Sequence, residues 1–140
     1  MNFPPARLAT KLKIATMGLG EHIEQLKPDA LAYSGHSGAA FAFIAGVFHQ
    51  LPIINVRKVG EQSHGSAIDS NSTEPIRTYL VVDDFINTGA TVKHIIRSID
   101  RAAAKYNNHR PKCMGIFLYA SEPSCRNRIY IDDEVYDILV

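Results

Sequence analysis

The stretch Tyr79 to Thr91, YLVVDDFINTGAT, decides the fold. Tyr79 to Val82 are four residues with apolar bodies, a short run that reads as a buried strand. Asp83 and Asp84 follow at its carboxyl end. A turn then carries Thr88, Gly89, Ala90 and Thr91 into a helix. In an open α/β sheet, ligands bind beyond that end of the strands. A Gly-containing turn that opens a helix offers free backbone N–H groups, which suit a phosphate. Two carboxylates beside such a cradle can hold sugar hydroxyls, or a Mg²⁺ carried on the same ligand. An acidic pair alone would read as a solvated strand end. The pair followed by the Thr-Gly-Ala-Thr turn reads as a site for a phosphorylated sugar.

Working upstream, Val59 to Pro75 is rich in Gly, Ser, Asn and Thr and shows little hydrophobic periodicity. Loops of this length inside a compact domain are uncommon and often act as lids. Ile53 to Arg57 is β-branched and reads as a strand. The run Ala39 to Gln50 is too long and too rich in Ala and Phe for a buried strand, and reads as a helix packed on the sheet. Before it, Ser34-Gly35-His36-Ser37-Gly38 forms a compact polar turn after a strand at Ala30 to Ser34. At the amino terminus, Pro4 and Pro5 suit a first helical turn. Leu8, Leu12, Ala15, Leu19, Ile23 and Leu26 continue it with helical spacing; Gly18 and Gly20 are expected to break it in two, and Pro28 ends it.

Downstream, Ala90 to Tyr106 is a helix with one apolar face made by Val92, Ile95, Ile96, Ile99 and Ala103. Lys93, Arg97 and Lys105 fall off that face and read as solvated. Arg77 to Phe85 and Cys113 to Ala120 are strands. Ile129 to Val140 alternates apolar and acidic residues, as a hairpin or helix covering an edge would, with Asp132-Asp133-Glu134 as a turn. The order predicts an α/β fold: a single-domain, open, mostly parallel sheet with helices on both faces. Residues 1–140 form one domain, with 1–28 a helical cap or hood, 29–120 the core and 121–140 a tail packing on an edge. Three loops, Ser34–Gly38, Arg57–Pro75 and Asp83–Thr91, should converge at one end.

A chain of 140 residues favours one domain. A formal net charge of +1 gives no bulk attraction to nucleic acid or to a membrane surface. Cys113 and Cys125 lack C-x-x-C spacing and read as free thiols of a reducing compartment. Charges at Arg7, Lys11 and Lys13 interrupt any secretory pattern, and Ala39 to Phe48 is too short to span a bilayer. These features suggest the cytoplasm.

The stretch resembles the phosphoribosyl-pyrophosphate (PRPP) binding motif of the type I phosphoribosyltransferases: an apolar strand, two acids, two apolar residues, a variable position, then T-G-x-T. Asn55-Val56-Arg57-Lys58 resembles the segment that opens the flexible loop in orotate and adenine members, and His64-Gly65 resembles the H-G later in that loop. The resemblance implies that Thr88, Gly89, Ala90 and Thr91 hold the 5-phosphate, and that Asp83 and Asp84 bind the ribose hydroxyls with Mg²⁺ nearby. Ser34, Gly35, His36, Ser37 and Gly38 would wrap the diphosphate, with Arg57 and Lys58 neutralising it. Lys58 and His64 would join the two acids in catalysis, and Asn87 would sit within the PRPP site. The implied partners are PRPP and a nucleobase, and the implied assembly is a homodimer. Hypoxanthine and guanine members carry Asp where this chain has Asn87, which argues against a 6-oxopurine. Orotate members carry a loop Lys, and between Val59 and Ile76 the one potential cation is His64.

Two alternatives accompany this reading. A protein of this kind can bind PRPP or a nucleotide to regulate rather than to catalyse. Separately, strand, G-H-S-G-A, helix is close to a nucleophile elbow with Ser37 as nucleophile, and Asp83 or Asp84 with His94 or His109 would complete a triad in order.

Overall fold

A computed structural model describes residues 5–58, 68–72, 74–84, 86, 88–106, 109–120 and 127–140, with the side chains of 5–14 and of Ser37 excepted. Helices α1 (Pro5–Leu26) and α2 (Gly35–His49) alternate with strands β1 (Ala30–Tyr33) and β2 (Ile53–Val56). Strand β3 (Ile68–Ser70) precedes β4 (Thr78–Asp83), α3 (Ala90–Lys105) and β5 (Lys112–Leu118), and the chain closes with β6 (Arg128–Ile131) and β7 (Glu134–Leu139). The described strands form one sheet in the order β3-β2-β1-β4-β5-β7-β6. β2, β1, β4, β5 and β7 run parallel; β3 and β6 are antiparallel at the two edges. The expected α/β architecture is therefore present.

β4 lies at the centre, and Tyr79, Leu80, Val81 and Val82 are fully buried. A strand covered on both faces needs a continuous apolar run, and this one has it. On one face Tyr79 and Val81 pack with Val92, Ile95, Ile96 and Ile99 of α3. On the other, Leu80 and Val82 pack with Leu19 of α1 and Phe41, Ala42 and Ala45 of α2. Asp29 fastens the lower end: its carboxylate accepts the N–H groups of Arg77 and Thr78 at 2.8 and 3.1 Å.

Four expectations change. The amino-terminal helix is continuous through Gly18 and Gly20. A side chain at Gly20 would stand 3.3 Å from the His49 ring, so close packing of the helices holds a stretch that local propensity disfavours. α2 begins at Gly35, so Gly35 to Gly38 are its first turn and not a separate loop. The segment Val59 to Pro75 is not structureless throughout, because Ile68 to Ser70 pair with β2 as an edge strand. Its remaining part, 59–67, lies outside the described residues. Lastly, Arg97 is not simply solvated: it makes a two-pronged contact with Asp132 at 2.6 and 2.7 Å.

The tail resolves to the hairpin alternative. Asp132 and Asp133 both have positive φ, 50° and 68°, which is the geometry of a tight two-residue hairpin turn. Arg110 ties this hairpin to α3 by bonding Glu134 at 2.6 Å and Asp100 at 3.0 Å.

Ile95 is fully buried at the centre of the α3 face. Ile95→Ala should cost about 2–5 kcal/mol of stability in urea unfolding. Burial, outweighing hydrogen bonds with Gly115 and Val81, pushes the Cys113 thiol up to about 12. The folded state thus holds that proton more tightly than the unfolded chain. This contribution to stability is complete below the ordinary thiol value of 9.0 and is lost as pH rises toward 12. Native Cys113 should resist iodoacetamide at about pH 8.5 and react once the chain is unfolded, as read by mass spectrometry of its peptide.

Candidate functional site

The site is built at the carboxyl end of β4. Asp83 ends the strand, nearly buried, and its Oδ1 accepts the Asp84 N–H at 2.9 Å. The backbone beyond is held to β5: Tyr119 N–H donates to the Asp83 carbonyl at 3.1 Å, and Ala120 N–H to that of Asp84 at 2.9 Å. The backbone of both acids is therefore fixed by main-chain bonds at the strand end where α/β sheets bind ligands.

Gly89 caps α3 with φ 84°. A Cβ there would stand 2.9 Å from Ile129 Cδ1 of β6, the tip of a flexible side chain, so the backbone conformation is what favours glycine. The Thr88 hydroxyl accepts the Ala90 N–H at 3.2 Å. Thr88, Ala90 and Thr91 are exposed, so the first turn of α3 faces solvent with its N–H groups and two hydroxyls.

The second wall is the first turn of α2. Ser34 is extended, with φ −142° and ψ 136°, and its buried Oγ has no hydrogen-bond partner among the described residues. Gly35 turns the chain with φ 74°. A Cβ on Gly38 would stand 3.0 Å from both the Val82 carbonyl oxygen and Tyr33 Cβ. Only a glycine lets this turn lie against the residue that precedes Asp83. The two helix N-termini thus meet at the end of one strand, and each is a place where a phosphate is favoured.

The expected cations divide. Lys58 lies over Gly35: a Cβ on that glycine would overlap the lysine Cε and stand 2.9 Å from Nζ. Arg57 instead pairs with Asp69 of β3 at 2.5 Å. Of the two expected cations, Lys58 is the one beside the Gly35 turn, while Arg57 faces Asp69 on the edge strand. The Arg57 carbonyl accepts the His94 Nε2–H at 2.7 Å, which ties the start of the 57–75 connection to α3. His36 is exposed at the mouth. Asn87 and His64 lie outside the described residues, as does the Ser37 side chain.

Ser37 sits within the helical first turn of α2, and the positive-φ residue is Gly35, two positions earlier. A nucleophile elbow puts its serine on the sharp strand-to-helix turn itself, so the backbone does not form an elbow at Ser37.

Sequence reasoning missed Tyr119 and Asp69. Tyr119 stacks on Phe41, with ring centroids 4.9 Å apart. Burial, and then the charges of Asp84 and Asp83, raise its hydroxyl above the ordinary tyrosine range. An aromatic at a strand end carried no local signal; proximity to the two acids comes from the pairing of β4 with β5. Asp69 was hidden because β3 is short and polar.

No protein-family model matches the chain, and no curated protein sequence matches it. Solved structures do. The orotate phosphoribosyltransferase of Aeropyrum pernix superposes with a TM-score of 0.58 at 17% identity, over 81% of this chain and 58% of that one. The chain has the type I phosphoribosyltransferase fold. The adenine phosphoribosyltransferase of Thermoanaerobacter pseudethanolicus gives 0.54 at 18% identity, over 79% of this chain and 68% of that one. The Leishmania donovani UMP synthase gives 0.55 at 15%, over 76% of this chain and 21% of that one. The chain thus spans little more than half of the orotate enzyme and about a fifth of UMP synthase. Within this phosphoribosyltransferase fold, the acids at the end of β4 and the turn at Gly89 occupy the strand-end position where α/β sheets bind ligands. Among the described residues no helix is long and apolar enough to cross a membrane.

Gly89→Ala should destabilise the chain by about 1–3 kcal/mol, because it meets positive-φ strain. Thermal unfolding of Gly89→Ala beside Ala90→Gly separates that cost from a general weakening of the helix start.

Proposed function

We propose that the chain transfers the 5-phosphoribosyl group of PRPP to a nucleobase nitrogen with release of pyrophosphate. The observation that carries this reading is the acidic pair Asp83 and Asp84 at the end of β4, the Asp83 carboxylate held by the Asp84 N–H, with phosphate-suited helix starts at Gly35 and Gly89. A ligand with a phosphate at one end, a polyhydroxyl ring in the middle and a diphosphate at the other matches that order.

In this reading the Thr88–Thr91 turn holds the 5-phosphate through backbone N–H groups and hydroxyls. Asp83 and Asp84 take the ribose hydroxyls. The Ser34–Gly38 turn, with the Ser34 hydroxyl that has no partner among the described residues, receives the diphosphate, and Lys58 over Gly35 neutralises it. Two adjacent carboxylates are too few for an all-protein cage, and no cluster of three metal-ligating residues exists among the described residues. They suit a Mg²⁺ that keeps most of its oxygens from the ligand and water. When bound, Mg²⁺ would supply positive charge to the departing diphosphate. The C1–oxygen bond to pyrophosphate breaks as the C1–nitrogen bond forms, and the proton leaving the base nitrogen passes to the departing diphosphate or to water. The transition state carries oxocarbenium character, so positioning and charge stabilisation supply the rate. Gly18 lies against Phe117 near the end of β5, so the earlier turns of α1 run on past the strand ends. That supports residues 1–28 as the cover over the base.

A second reading is supported by one observation. The Arg57–Asp69 pair neutralises one of the two cations expected on the diphosphate, which fits a protein that binds PRPP or a nucleotide without turning it over.

A panel of nucleobases with PRPP and Mg²⁺ should give pyrophosphate release with at least one base. Asp84→Asn should reduce it on the order of 100-fold. Tight PRPP binding by calorimetry, with no release across the panel, would establish the regulatory reading; no binding and no release would reject both.

A further inference from the structure

A cavity of about 590 Å³ lies on the α3 face of the sheet, away from Asp83. That volume is within the range of small-molecule sites. β3 and the segment ahead of β4 line one side, and the last turns of α3 line the other. Arg77 stands just before β4 and Asp83 ends it, so about 20 Å of strand separate this residue of the cavity from the acid pair. The floor is apolar. Ile54, Ile68, Ile76, Ile99, Ala102 and Ala103 line it, and Ile54, Ile99 and Ala103 belong to the buried core. Tyr106 lines it too and is 63% exposed, although the Lys105 ammonium lies 5.5 Å from the centre of its ring.

The rim carries two opposite charges. Glu74 and Arg77 both line the cavity and are exposed. Among the described residues neither side chain has an ion-pair partner. The neighbouring serines are engaged locally: Ser70 Oγ accepts the Ser72 N–H at 3.1 Å, and Ser72 Oγ donates to the Glu74 carbonyl at 2.7 Å. Besides the Tyr106 hydroxyl and His109, which is exposed, Arg77 and Glu74 are therefore the side chains that can answer a polar ligand.

We infer that this cavity binds a free α-amino acid with a large apolar side chain. The side chain enters the isoleucine-lined floor beside the Tyr106 ring. The carboxylate pairs with Arg77, whose planar fork suits a carboxylate by two parallel N–H bonds. The ammonium pairs with Glu74, and the carboxyl end of α3 adds negative potential beside the cavity. A ligand with one charge leaves one rim group unmatched, and a neutral apolar ligand leaves both; a zwitterion matches both. Side chains alternate along a strand, so Ile68 and Ser70 face the cavity while Asp69 faces away, toward Arg57. The ligand thus touches the strand that holds Asp69 against Arg57. Binding here does not depend on the transferase reading and is measured without PRPP.

A heteronuclear NMR titration of the full chain with L-phenylalanine, to about 10 mM, tests the inference. The dissociation constant should be on the order of 0.1–1 mM for a ligand of this size. Amide shifts should cluster at Ile68, Ser70, Ala102 and Ala103 and spare Asp84 and Gly89. Phenylpropionate, which lacks the ammonium, and phenethylamine, which lacks the carboxylate, should each bind at least about 10-fold more weakly. Ala102→Trp fills the cavity and should abolish binding with an unchanged far-ultraviolet circular dichroism spectrum. Arg77→Gln, a milder surface change, should weaken phenylalanine and leave phenethylamine as it was. Absence of saturable shifts at the highest concentration, shifts that fall outside the cavity, or a singly charged analogue that binds as tightly as phenylalanine overturns the inference.

Discussion

β4 is covered on both faces, and the rest of the structure depends on that burial. Four consecutive residues, Tyr79 to Val82, have no exposed surface, with α3 on one side and α1 and α2 on the other. Burying such a run removes enough apolar area to outweigh the cost of placing a carboxylate, Asp83, directly at its end. That carboxylate is stabilised locally by the Asp84 N–H. The hydrophobic centre and the polar site are thus consecutive pieces of one strand, and the rigidity of the first is conferred on the second.

Glycines set how closely the helices approach that strand. Gly38 lets α2 start against the Val82 carbonyl, and Gly89 lets α3 start beneath the β6–β7 hairpin at Ile129. Each helix therefore delivers its N-terminal N–H groups to the same end of the sheet. Charged side chains do different work away from this point. Arg97 with Asp132 and Arg110 with Asp100 and Glu134 join the hairpin to α3, and Arg57 with Asp69 holds the opposite edge. These pairs are exposed and individually contribute little stability, but they orient the edges of the sheet.

Much of this was legible because it is local. The apolar run of β4, the 3.6-residue period of α3 and the acid-acid-turn pattern are properties of neighbouring residues. What local pattern did not show has a common cause. β3 is three residues long, two of them polar, and exists because β2 offers it an unpaired edge. Gly18 and Gly20 look like helix breakers, yet α1 continues through both, packed against Phe117 at Gly18 and close to the His49 ring at Gly20. Gly35 to Gly38 have turn composition but lie in a helix, since Ser34 and Gly35 complete the change of direction before it.

The amino-acid order by itself determined the α/β alternation, the central strand and the acidic phosphate-type motif, all of which follow from short-range period and composition. Tertiary structure decided which cation faces the Gly35 turn, which is taken by Asp69, and which tyrosine stands beside the acids. Those outcomes depend on strand pairing between residues distant in the chain, and no local window contains them. It also left one side of α2 apolar and uncovered, because the sheet can bury only the side of a helix that faces it.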